Sequence, residues 1–114
     1  MNLKEEICKV LDSKKAHKIA VVDISHLSTV ADTFIICSAN STTQVRSLAD
    51  NVEVELKKLG IESIRSEGKS EGRWAVVDYG DIIVHVFQED VRNLYSLEQL
   101  WSDGANVTYL DSND

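Results

Sequence analysis

The chain has 114 residues and a mass of 12.7 kDa, which corresponds to one domain of common size. Hydrophobic residues make up 43% and charged residues 27% of it, so its composition excludes an extensively disordered protein. No segment reaches the apolar length of a membrane span, and the acidic N-terminal residues lack the apolar centre of a signal peptide. We therefore expect a cytoplasmic protein that does not associate with a membrane.

The net charge of −7 comes entirely from the second half of the chain. Residues 1–60 contain eight basic and eight acidic residues, whereas residues 61–114 contain four basic and eleven acidic residues. Nucleic-acid phosphates are bound by Lys and Arg, so this distribution does not favour direct, sequence-specific binding of nucleic acid. It is suited to a basic protein partner, although charge that only keeps the protein soluble is a simpler alternative.

The two cysteines, Cys8 and Cys37, form no C-x-x-C pair and have no histidine cluster beside them. In a reducing compartment both are expected to be small buried hydrophobic residues. We therefore predict neither a metal site nor a cofactor.

The first third of the chain predicts a helix followed by two strands. Apolar residues in 2–15 recur with the helical period, and residues 19–24 are a short β-branched run. Polar residues 25–32 are predicted as a loop, and residues 33–37 as a second apolar strand. Both strands are almost continuously hydrophobic, which is typical of interior strands that are covered on both faces.

The clearest helix follows Ser41, since apolar residues from 45 to 59 keep a period of 3.6. Ser41 and Gln44 form a capping box at its start, and Gly60 marks its end. Residues 61–65 are then predicted as a short strand.

A loop at residues 66–72 precedes two predicted strands, residues 74–78 and 82–87. The intervening residues 79–81 are expected to form a tight hairpin, in which Gly80 can adopt a positive φ.

Residues 91–101 have helical spacing, with Ser96 expected to interrupt the helix and to cap a second turn. Residues 107–110 could add a last strand, and residues 111–114 are predicted to be a short acidic tail. The order α-β-β-α-β-β-β-α predicts a single α/β domain over residues 1–110. We expect a mixed sheet of about five strands flanked by helices.

The best candidates for acid–base or metal chemistry are Asp78, Asp81 and His85, because two carboxylates and an imidazole can bind a metal or transfer a proton. A hairpin turn rich in Asp, followed by a histidine on a strand, is the favoured explanation, since no third ligand or nucleophile has motif spacing.

Six of the seven aromatic residues lie in the second half, among acidic residues. Aromatic residues are enriched at the energetically dominant positions of protein interfaces. Although some of them must pack in the core, their number in a small domain predicts a binding face.

Two blocks of sequence are characteristic of a known family. Residues 33–45 read T-F-I-I-C-S-A-N-S-T-T-Q-V, and residues 71–87 read E-G-R-W-A-V-V-D-Y-G-D-I-I-V-H-V-F. The second block is followed by R-N-L-Y-S-L-E-Q-L-W at residues 92–101. Together they resemble the ribosomal silencing factor family, also called Iojap-like, over residues 3–103. Ala39 replaces the Gly that is common there, and Thr33-Phe34 begins the first block where Tyr-Phe is usual.

The resemblance implies a fold similar to that of nucleotidyltransferases but without their catalytic signature, and hence a protein that is not an enzyme. It implies binding to the large ribosomal subunit through ribosomal protein L-fourteen. A bound family member would block joining of the small subunit and repress translation when nutrients are limiting. It further implies that the free protein is a homodimer.

Under this interpretation the second half of the chain supplies the partner-binding residues. The aromatic anchors would be Trp74, Tyr79, Tyr95 and Trp101, and the polar specificity residues would be Asp78, Asp81, Arg92 and Glu98. Gly80 and His85 are expected to be structural, with a hydrogen bond of His85 holding the hairpin or the loop that follows. Two alternatives remain: a ribosome-assembly or other protein-interaction module, and a metal-dependent nucleotidyltransferase-like enzyme.

Overall fold

The computed structural model describes residues 2–110, which form four helices and six strands. The elements in chain order are α1 (Leu3–Ser13), β1 (His17–Asp23), β2 (Thr33–Ala39), α2 (Thr42–Lys58), β3 (Arg65–Glu67), β4 (Trp74–Asp78), β5 (Ile82–Gln88), α3 (Glu89–Tyr95), α4 (Leu97–Leu100) and β6 (Val107–Tyr109). The acidic tail predicted at residues 111–114 lies outside the described residues. In the described part of the chain, no helix combines the length and hydropathy needed to cross a membrane.

The strands form one open, mixed sheet in the order β3-β4-β5-β2-β1-β6. The central strands β2 and β5 are parallel, and every other neighbouring pair is antiparallel. The predicted α/β class with a mixed sheet is therefore confirmed. The sheet has six strands rather than about five, because the last predicted strand forms and pairs with β1.

The third strand was placed too early by the sequence pattern. It spans Arg65–Glu67 and pairs with β4, whereas residues 61–65 had been predicted as the strand and residues 66–72 as a loop. Ile61 packs against the core, and its N–H donates to the Leu56 carbonyl at 3.0 Å as α2 ends. Ile61 is therefore apolar because it packs against the core at the end of α2, and not because it belongs to a strand.

One face of the sheet, which we call the covered face, is packed beneath α1 and α2. Inward side chains of both helices meet alternate residues of β2, β4 and β5 in a continuous buried core. Cys8 and Cys37 belong to this core, as predicted, and both are unpaired thiols. Burial raises the pKa of Cys8 to about 11 and that of Cys37 to about 12, so both remain protonated.

The helix α2 begins and ends where its sequence signals predict. The Ser41 hydroxyl accepts from the Gln44 N–H at 3.1 Å, and the Gln44 side chain accepts from the Asn40 N–H at 2.7 Å. This satisfies two backbone donors near the start of the helix. Gly60, with φ of +83°, follows the C-terminal end.

The other face, which we call the open face, has only the short helices α3 and α4 above it. Its buried residues include Phe34, Ile36, Ile83 and Phe87. The predicted break at Ser96 is confirmed, since this residue adopts a left-handed conformation between the two helices. Ser96 is also the N-cap residue of α4, as predicted, although its hydroxyl donates to the Asn93 carbonyl at 3.4 Å and makes no bond to the start of α4.

The β4–β5 hairpin forms at the predicted residues. Gly80 has φ of +91°, which an L side chain rarely adopts, and its N–H donates to the Asp78 carboxylate at 2.8 Å. The backbone carbonyl of Asp81 accepts from Asp32 and Thr33 at 2.8 and 3.1 Å. The turn is therefore bonded to the residues that begin β2, and Gly80 adopts the positive φ expected of it in the hairpin.

Candidate partner-binding face

Three of the predicted anchors are brought together on the open face. Trp74 stacks on Phe87 with ring centroids 4.7 Å apart and lies 5.4 Å from the ring of Tyr95. Trp101 meets the ring of Phe34 edge-on at 5.6 Å. Because His85 contacts both Phe34 and Trp74, the six rings form one connected group. We call this group the aromatic patch; it consists of Phe34, Trp74, His85, Phe87, Tyr95 and Trp101.

The aromatic patch is incompletely covered by the rest of the chain. Phe87 is fully buried, but Trp74 and Trp101 are only partly buried and Tyr95 is 56% exposed. Leu94 and Leu100 on α3 and α4 are each 75% exposed. Exposed apolar side chains beside half-buried aromatic rings are characteristic of a protein-binding surface.

Leu94 and Leu100 contribute to the helical spacing of residues 91–101, but both side chains are exposed. Ser96 ends α3 after seven residues, so the periodic pattern of residues 91–101 does not define a single face. A signal was present in the sequence, because this short segment carries more apolar residues than one buried helix face can hold. Val76, which packs partly buried beside the open-face core, was also missed.

His85, the imidazole of the aromatic patch, accepts a hydrogen bond from Trp74. The indole Nε1–H donates to His85 Nδ1 at 3.1 Å, across the antiparallel strands β4 and β5. Burial lowers the pKa of His85 to about 4, so the ring is neutral at physiological pH. The bond therefore links the two strands of the β4–β5 hairpin, and a role of His85 in holding that hairpin stays a prediction.

Tyr79 is separated from the other predicted anchors. It packs against the core of the covered face, on the opposite side of the sheet from Trp74. Its hydroxyl is buried without a hydrogen-bond partner among residues 2–110, and burial raises the pKa of the phenol to about 12. Positions 74 and 79 are five apart, an odd separation, so the alternation of side chains along a strand places them on opposite faces.

Arg92 and Glu98 are bound to each other below the patch. Arg92 is only 4% exposed, and its guanidinium lies 3.0 Å from the Glu98 carboxylate. The same guanidinium donates to the Ser38 hydroxyl at 3.0 Å and to the Lys18 carbonyl. The pair therefore ties α3 and α4 to β1 and β2, which positions the helices that carry Tyr95 and Trp101.

A cleft of about 700 Å³ lies beside this ion pair, at the end of the sheet where β2 and β5 finish. It is lined mainly by polar residues, among them Asn40, Asn93 and Gln99. Glu98 Oε1 is buried there without a hydrogen-bond partner in the described chain. None of the aromatic patch residues lines this cleft.

The candidates for metal or acid–base chemistry are not assembled into a site. The Asp78 carboxylate accepts from Gly80 and lies 3.4 Å from Arg65, while His85 Nδ1 is occupied by Trp74. Asp81 is exposed at the hairpin. Within residues 2–110, no group of three or more His, Cys, Asp or Glu side chains could hold a metal ion.

Comparison with known proteins places this geometry in a family. The model of the family described as "Ribosomal silencing factor during starvation" matches residues 1–114. Ribosomal silencing factor RsfS of Bacillus subtilis is 44% identical over 92 residues, covering 81% of this chain and 78% of that protein. The Haemophilus influenzae protein of the same name is 42% identical over 102 residues, covering 90% of this chain and all of that protein.

Solved structures agree with the sequence matches. A crystal structure of a Chromobacterium violaceum protein has a TM-score of 0.84 and 35% identity, covering 87% of this chain and 82% of that one. Both named relatives carry the name of a regulatory factor, ribosomal silencing factor RsfS. With the family model spanning its whole length, the chain belongs to the RsfS family of ribosomal silencing factors.

Proposed function

We propose that this protein acts in the cytoplasm, where it binds the large ribosomal subunit through the aromatic patch and sterically blocks joining of the small subunit. Translation would thereby be repressed when nutrients are limiting. The proposal is supported by family membership and by one structural observation: Tyr95, Trp74 and Trp101 are joined by ring contacts on a face that α3 and α4 leave partly uncovered.

The proposed contact on the large subunit is ribosomal protein L-fourteen. The acidic second half of the chain, which carries five of the six patch residues, is suited to a basic ribosomal protein. Silencing of this kind requires no chemical step, because a protein seated on the joining surface excludes the small subunit by its volume. No cofactor or metal is needed for it.

Co-sedimentation with separated ribosomal subunits, followed by a subunit-joining assay in the same samples, tests this function. We expect the protein to migrate with the large subunit alone and to reduce the number of joined ribosomes. Binding to purified ribosomal protein L-fourteen, measured separately, tests the proposed contact. Association with neither subunit at micromolar protein would contradict the function, and large-subunit binding with normal joining would favour an assembly or other interaction role.

The patch itself is tested by Trp74→Ala and Trp101→Ala. Truncating a central aromatic anchor weakens binding by about 2 kcal/mol or more, roughly thirtyfold in affinity. Val54→Ser, an exposed change on α2 above the covered face, is the matched control and should bind normally. If both tryptophan variants are folded and bind like the control, the patch is not the docking surface.

Tyr79→Ala separates docking from folding, because Tyr79 packs on the other side of the sheet. We expect this variant to be less stable, yet to bind the large subunit normally at temperatures where it is folded. A large loss of affinity without a change in melting temperature would place Tyr79 in the interface after all.

We further propose that the free protein is a homodimer. A dimer that buries the same patch would compete with the ribosome by mass action. Sedimentation velocity of the wild type and of Trp74→Ala distinguishes the cases. Loss of the dimer in the variant supports a shared surface, whereas an unchanged dimer places the dimer interface elsewhere.

A further inference from the structure

Trp74 is an apolar anchor with one polar group, the indole N–H. This donor is used within the protein. Trp74 Nε1 donates to His85 Nδ1 at 3.1 Å. A partly exposed tryptophan in an interface commonly uses this N–H toward solvent or a partner. Here a side chain of the next strand takes it instead.

His85 is well placed to act as a fixed acceptor. It is 7% exposed and is held by ring contacts with Phe34 and Phe87 at centroid distances of 4.7 and 6.2 Å. Because Nδ1 accepts, the proton of the neutral ring is assigned to Nε2. Nε2 is buried and has no hydrogen-bond partner within residues 2–110.

A buried donor without a partner is unfavourable. His85 leaves one such donor at Nε2, while its Nδ1 satisfies the indole N–H of Trp74. If His85 served only to fill the core, an apolar residue would fill the same volume without this penalty. The imidazole is therefore explained by the acceptor that it presents to Trp74.

We propose that His85 is a positioning residue of the docking face: it fixes the orientation of the Trp74 ring, so that Trp74 meets the ribosome through its carbon atoms alone. This inference rests on the proposed docking function of the aromatic patch. It identifies the chemistry opposite Trp74 as an apolar or cationic group, and not a hydrogen-bond acceptor for the indole.

The test compares two replacements of His85. In His85→Asn the side-chain oxygen can occupy the place of Nδ1 and accept from Trp74. In His85→Leu the side chain has a similar volume but no acceptor. Trp74→Phe removes the donor and retains an aromatic ring.

The first readout is the indole N–H resonance of Trp74 in the free protein, which reports its hydrogen bond without any ribosome. We expect His85→Leu to shift and broaden this resonance, because the ring then samples several orientations, and His85→Asn to retain a single sharp signal. An unchanged resonance in His85→Leu would overturn the proposal, whether or not the protein binds ribosomes.

The second readout is affinity for the large subunit. Loss of an internal hydrogen bond that orders an anchor should weaken binding about tenfold in His85→Leu, while His85→Asn stays within about threefold of the wild type. In a Trp74→Phe background, replacing His85 with Leu should have little further effect, since the positioned donor is already absent.

The remaining outcomes are also decisive. If His85→Leu shifts the indole resonance but binds normally, the bond exists but does not position an anchor, and the proposal is wrong. If the wild type does not bind the large subunit, the docking function fails, and the resonance still decides whether His85 holds Trp74.

Discussion

The two faces of the same sheet are used in different ways. The covered face lies beneath α1 and α2, of 11 and 17 residues, and its side chains form a continuous core. The open face has α3 and α4, of seven and four residues, and leaves Trp74 and Tyr95 partly exposed. Long helices can bury a whole sheet face, whereas short ones leave an apolar margin that another protein can cover. The first face thus supplies stability, and under the proposed function the second also supplies the docking surface.

The largest loss of stability should come from removing the ion pair that holds α3 and α4 to the open face. Arg92→Met leaves Glu98 buried without its partner, which we expect to destabilise folding by about 4 kcal/mol. Urea unfolding measures this loss. Arg73→Met, at an exposed position, should change stability by less than about 0.5 kcal/mol.

Adding Glu98→Leu to Arg92→Met should restore part of the lost stability, because both charges are then absent. A double variant less stable than Arg92→Met would show that Glu98 contributes independently of Arg92.

A matched pair of leucines compares the two faces directly. Leu48→Ala creates a cavity in the covered-face core and should lower the free energy of unfolding by about 3 kcal/mol. Leu94→Ala, on the exposed side of α3, should change it by less than about 0.5 kcal/mol. Thermal or urea unfolding of both variants provides the measurement.

Affinity for the large subunit should show the reverse order. Leu94→Ala should bind more weakly, whereas Leu48→Ala should bind normally at temperatures where it is folded. Equal stability losses in the two variants would remove the distinction between the faces.

The open face should also make stability sensitive to acid through His85. The folded-state pKa, about 4, is below the unfolded value of 6.5, so the contribution is present above pH 6.5 and is lost as the pH falls toward 4. Between pH 7 and pH 5 this amounts to about 2 kcal/mol.

Carboxylates also respond to acid, so the measurement is the difference between wild type and His85→Asn over the same pH range. The variant should lose about 2 kcal/mol less between pH 7 and pH 5. Parallel curves for the two proteins would show that His85 is not buried in its neutral form.

The smallest effect should come from the cap of α2 on the covered face. Ser41→Ala removes the acceptor for the Gln44 N–H and should lower stability by about 1 kcal/mol. Thr43→Ala, an exposed change inside the same helix, should be neutral or slightly stabilising, since Ala is the better helix former. A similar loss in both variants would indicate that the cap bond has no specific role.

Local signals predicted most elements because their causes are local. The cap at Ser41, the turn at Gly80 and the break at Ser96 each depend on residues within a few positions of one another. The third strand was misplaced because Ile61 is apolar for a tertiary reason, namely its contact with the core at the end of α2.

The candidate site was predicted as a set of residues but not as an arrangement. Trp74 meets Tyr95, and Trp101 is joined to them through Phe34 and His85. Tyr79 faces the other side, and Arg92 is buried with Glu98. The spacing of residues in a motif does not reveal which side chains share a surface, since this depends on how three strands and two short helices pack.

By itself, the sequence determined the helices, the hairpin, the acidic second half and the motifs that resemble the family, because each is encoded in periodicity, composition or short-range spacing. Only the tertiary structure decided which apolar residues remain exposed and which side chain accepts the indole N–H of Trp74. Those features arise from contacts between elements that are distant along the chain, such as Phe34 with Trp101 and Arg92 with Ser38. Such contacts follow from the order and packing of the strands, and no local pattern specifies them.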